Sequence, residues 1–174
     1  LEVINAQVHG EPVISLSMGE NLANKAYMLP SETLMAVHVY DLSEKVKGVF
    51  DGTNALSVAT SKDQLIADVF SRETSDNRLQ LFEEQALSGS AAKNVVLKKY
   101  WQDDTGLGLD GNQSVSASDN YVTMQMMPVI RLAEMYLIAA ETASSLAESN
   151  RLMREYKGSR NILHRDYSSL NERE

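Results

Sequence analysis

The chain has 174 residues, 43% of them hydrophobic, and a formal net charge of −8. That is enough apolar material for one core, with no compositional sign of disorder, so one domain or a piece of one is expected. The acidic balance argues against a nucleic-acid footprint and against electrostatic binding to an anionic membrane, and the lack of cysteine removes disulfides, thiolate metal sites and cysteine nucleophiles.

The chain begins at Leu1 without an initiator Met, which suggests an excised segment. It carries no signal peptide, and its longest apolar run is too short to span a bilayer. Leu1 to Val8 is consistent with the tail of a helix, and Gly10-Glu11-Pro12 breaks any period. Val13, Ile14, Leu16 and Met18 suit a short extended piece. Thr33 to Tyr40 is rich in β-branched and aromatic residues and has the length of a buried strand. Its His38 reads as a strand residue rather than a ligand, because His9 and His164 lie at no metal-binding spacing from it. Asp41 to Thr60 is punctuated by glycine and reads as loop. Asp51-Gly52-Thr53-Asn54 is a turn, since it lacks the alternating oxygens and final Glu of a calcium loop.

Ser61-Lys62-Asp63-Gln64 is a capping box, and Leu65, Ile66, Val69 and Phe70 supply the apolar face of the helix it opens. Asp76 and Arg78, two apart in a turn, can hold it through charge-assisted hydrogen bonds. Leu79 to Leu87 fits a strand or an irregular segment. Asn94 to Trp101 reads as a short strand. Gln102 to Asn120 is a long polar excursion, and loops of that length inside a domain are usually functional or mobile.

From Pro128 onward the sequence reads as one helix to Ala143, with proline at the first helical position. Ile130, Ala133, Leu137, Ala140 and Ser144 form a stripe that Met135, Ile138 and Thr142 widen, so the helix is expected to be buried on most sides. Arg131, Glu134 and Glu141 share one face, and burial would force them into a structural ion network. Ser144-Ser145 can end this helix or cap a second one, from about Leu146 to Tyr156, with Leu146, Ser149, Leu152, Met153 and Tyr156 inward and Gly158 as a stop.

The run Pro128-Val129-Ile130-Arg131-Leu132-Ala133-Glu134, with Leu137 and Ala140-Glu141, resembles the helix signature of the SusD/RagB family, the outer-membrane nutrient-binding lipoproteins of Bacteroidetes polysaccharide utilization. Ser31-Glu32, Asp76-Asn77-Arg78 and Lys99-Tyr100 match further family elements in order. The match loosens at Arg154, Lys157 and Arg160-Asn161, where the family has an Asn, an Arg and Arg-Gly, although Asn161 can adopt glycine's left-handed conformation.

The resemblance implies an interior slice of a larger protein. It would be a mainly α fold with irregular loops and a few short strands, forming part of a tetratricopeptide-like α-solenoid. Within this single region, residues 1–120 would be the loop-rich part and residues 121–174 the helix pair. Function would be capture of a glycan or other nutrient at the cell surface beside a TonB-dependent transporter. Membrane attachment would come only from an amino-terminal lipid anchor that this chain lacks. No enzyme motif or cofactor fingerprint is present.

Sugar binding needs an aromatic face and polar side chains. Trp101, the chain's one tryptophan, lies next to Asp103 and Asp104, with Asn112 and Gln113 in the same excursion, so these five are the candidate ligand residues. They are read from residue chemistry and not from a family motif. The alternative is a helical-repeat scaffold that binds a protein partner and no sugar.

Overall fold

The computed structural model describes residues 3–8, 11–12, 14–23, 26–39, 42, 49, 61–86, 93–97 and 126–169. A short ribbon pairs β1 (Gln7–Val8) with β2 (Glu11–Pro12), where the sequence suggested a helix tail. Helix α1 (Met18–Ala23) follows, in place of the extended piece expected to run through Met18. A Cβ at Gly19 would lie 3.4 Å from Asn77 Nδ2, so α1 packs against the segment that carries Asn77. Leu29 then takes a left-handed φ of 56°, a conformation that costs about 1–2 kcal/mol for a residue with a Cβ. Burial of its side chain in the core offsets that cost and turns the chain into a 3-10 turn at Pro30–Glu32.

Strand β3 (Thr33–His38) lies where the β-branched run predicts it. Its antiparallel partner is β6 (Met126–Arg131), which includes the residues expected to begin the signature helix. Leu34 on β3 and Val129 on β6 are skipped in the register, so two compensating bulges keep the ends aligned. Pro128, opposite Ala36, sits beside the second bulge, where a strand tolerates a missing N–H.

Helix α2 (Lys62–Asp68) starts as expected, with Ser61 Oγ accepting from Gln64 N at 3.2 Å. Leu65 and Phe70 are buried but Val69 is exposed. After a 3-10 turn at Asn77–Leu81, β4 (Phe82–Ala86) pairs antiparallel with β5 (Lys93–Leu97). This sheet joins two core clusters. Met18, Leu22, Leu29 and Leu81 form one, Leu65, Phe70 and Val95 the other, and Phe82 packs against both.

Helices α3 (Leu132–Thr142) and α4 (Leu146–Ser159) form a hairpin. Ser145 caps α4 by accepting from Glu148 N, and buried Ser149 donates to Ala140 O at 2.8 Å. The inward face expected for α4 is present, with Ser149 and Leu152 fully buried. Gly158 lies inside the helix, and the chain reverses at Asn161, whose φ is 58°.

The architecture is therefore an α/β mix rather than the tetratricopeptide-like α-solenoid expected. Among the described residues, four α-helices accompany three two-stranded antiparallel sheets, and one helix pair stands beside ribbons instead of further helices. The reason is partly long-range: Pro128 favours extended backbone at Met127 before it, and β3, far earlier in the chain, offers Met126–Arg131 a ladder.

Candidate functional site

Three segments remote in sequence meet at one junction, and each carries a motif quoted above. The 3-10 turn after Leu29 holds Glu32 where its residue exposure is 0%, and Arg160, at the end of α4, is 3% exposed. Their side chains form a bidentate pair, Nη1 to Oε1 at 3.1 Å and Nη2 to Oε2 at 2.5 Å, across 128 positions. Arg160 also donates to Ser159 Oγ and lies over the Tyr156 ring, 4.7 Å from its centroid. Two planar hydrogen bonds and an aromatic face satisfy a guanidinium that would otherwise be costly to bury.

The third segment is Ser75-Asp76-Asn77-Arg78. Asn77 N donates to Arg160 O at 2.8 Å, while Ser75 and Asn161 exchange hydrogen bonds at 3.0 Å each. The left-handed turn at Asn161 is what brings its amide back to this segment. Asp76 accepts from Arg78 N at 2.8 Å and from the Arg78 guanidinium, as the spacing predicts. Those side-chain bonds to Asp76 hold the Arg78 guanidinium's pKa above its ordinary value. On the other flank Ser31 Oγ meets Ser17 Oγ and the Asn21 amide.

The buried ions among the described residues are thus Glu32, Asp76 and Arg160, not the trio expected on the signature helix. Arg131 ends β6, Glu134 and Glu141 are exposed on α3, and no ion pair joins the three among the described residues. The helix itself is only half covered, with Leu137 41% and Ile138 53% exposed. Once Met126–Arg131 is strand, α3 loses the first turn of its presumed stripe, and only Leu132 and Ala140 are fully inward. Sequence did hold a signal for the true pair: Glu32 is an isolated acid between Leu29-Pro30 and a β-branched run, and Arg160 adjoins the residue that reverses the chain.

Trp101, Asp103, Asp104, Asn112 and Gln113 lie outside the described residues, as do Lys99-Tyr100 and the turn at Asp51–Asn54. The described frame gives the ends of that stretch: β5 ends at Leu97 in one sheet and β6 begins at Met126 in another.

The junction's chemistry is that of a clasp. Both carboxylates are spent on guanidinium and backbone donors, and neither Ser17 nor Ser31 hydrogen-bonds an imidazole or carboxylate that could activate it, among the described residues. No group of three or more His, Asp or Glu among the described residues is placed to hold a metal ion. No described helix is long and apolar enough to cross a membrane. No family model, curated protein or solved structure matches the chain.

Proposed function

We propose that this chain is a slice of a SusD/RagB-like lipoprotein that captures a glycan or other nutrient at the outer cell surface and acts with a TonB-dependent transporter, without catalysis. The observation that carries the reading is the meeting of Ser31-Glu32, Asp76-Asn77-Arg78 and Arg160-Asn161 at one clasp. Ser31-Glu32 and Asp76-Asn77-Arg78, noted separately for their likeness to one family, form a single structural unit with Arg160-Asn161, which stands where that family has Arg-Gly. The excursion between β5 and β6 supplies an indole with carboxylates and amides nearby, the residue types that stack on a pyranose and bond its hydroxyls.

Titrating the chain with a panel of neutral polysaccharides tests this through its one tryptophan. A saturable quench or shift of the emission is expected, and Trp101→Ala should abolish retardation in affinity electrophoresis. A flat response across the panel sinks the sugar reading.

A second reading, a module that binds a protein partner and no sugar, draws on a different observation. Leu34, Met35 and Val37 of β3 and Met127, Val129 and Ile130 of β6 are all exposed, and apolar patches of that kind commonly mark contact surfaces. Co-purification with a transporter that persists in Trp101→Ala, with no polysaccharide response in either protein, favours it.

A further inference from the structure

Beyond Asn161 the chain folds back along α4, and residues 162–167 bond to that helix through Ile162, His164, Asp166 and Tyr167. Asn150, nearly buried on α4, acts as a ladder partner for one residue: its Nδ2 donates to Tyr167 O at 3.1 Å and its Oδ1 accepts from Tyr167 N at 2.8 Å. Arg154 grips Asp166 with one nitrogen 2.8 Å from each carboxylate oxygen, an exposed pair. Just before these ties comes His164, its side chain 1% exposed and its ring edge-on to Tyr167 at 5.2 Å.

The tautomer follows from the neighbours. Asn150 Oδ1 accepts from Tyr167 N, so it is the oxygen, and His164 Nε2, 3.3 Å away, must be the donor. Nδ1 is then a bare, buried acceptor with no hydrogen-bond partner among the described residues. A second proton would create an N–H there with nothing to receive it. It would also place positive charge near Lys157 and Arg154 of α4. The opposing carboxylate, Asp166, sits 3.8 Å from Nε2 and is already engaged by Arg154.

We propose that residues 162–167 are an acid-released strap, held against α4 while the His164 ring is neutral and freed when it takes a proton. Burial first, then the charge of Lys157, with Arg154 adding and Asp166 opposing, pushes the imidazole below its ordinary 6.5. The closed form therefore refuses a proton that the open form accepts. Attachment is complete above 6.5 and weakens as pH falls from there through the lowered value, by about tenfold per pH unit.

Hydrogen exchange of the Tyr167 amide in the full chain, corrected for intrinsic rates and followed from about pH 7.5 to about pH 5, tests the strap against the His164 imidazole signal in the same samples. Tyr167 protection should fall in step with acidification while the Leu152 amide in the core keeps its own. His164→Phe retains the edge-on ring contact without a titrating nitrogen, and should make Tyr167 protection independent of pH. Lys157→Gln removes a repelling charge from a half-buried side chain and should move the His164 titration upward. A His164 that titrates at or above 6.5, or a Tyr167 amide whose protection parallels Leu152 throughout, overturns the proposal.

Discussion

Helix α3 is spelled mostly in apolar residues and α4 mostly in polar ones, yet α4 owns the deeper burial. Leu137 and Ile138 face solvent, while Ser149 and Asn150 of α4 and Arg160 at its end are buried. The difference lies in partners. Ser149 has Ala140 O, Asn150 has both polar groups of Tyr167, and Arg160 has Glu32. Burial of a polar group is tolerable when its hydrogen bonds are complete, whereas an apolar residue enters a core only if some surface arrives to cover it.

The sharpest way to break this comparison is Arg160→Met, which strands the Glu32 carboxylate. It should cost about 3–5 kcal/mol in urea unfolding, and pairing it with Glu32→Leu should recover much of the loss. A single variant as stable as the parent would mean the clasp is idle. Next, Leu152→Ala should cost about 3 kcal/mol, because the residue is fully enclosed in the hairpin. Ser149→Ala should cost about 1 kcal/mol, read as a lowered midpoint without a change in slope. On α3 the opposite is expected: Leu137→Ser and Ile138→Ser should each lie within about 0.5 kcal/mol of the parent. A large loss at either would show that these side chains are covered in solution.

What the sequence made legible was chiefly local chemistry. The Ser61 cap, the Asp76 turn, strand β3, the inward face of α4 and the left-handed Asn161 each follow from a few adjacent side chains. What it hid was long-range. Met126–Arg131 has helix-compatible periodicity, and only the presence of β3, some ninety positions earlier, makes it a strand. Likewise, Arg131, Glu134 and Glu141 share a helical stripe on paper, and whether the stripe is buried depends on elements that periodicity cannot see. The candidate sugar residues rest on residue types alone, since 98–125 lies outside the described residues.

The clasp has a bearing on how the chain is made. Glu32 leaves the ribosome 128 positions ahead of Arg160, an interval on the order of 10 s at ordinary translation speed. For that time its carboxylate has no counterion to enter the core with, and β3 waits almost as long for β6. The 3-10 turn that carries Glu32 must therefore stay open to water, or to a chaperone, until α4 has been synthesised, and a chain stopped short of residue 160 carries an acid with nowhere to dock.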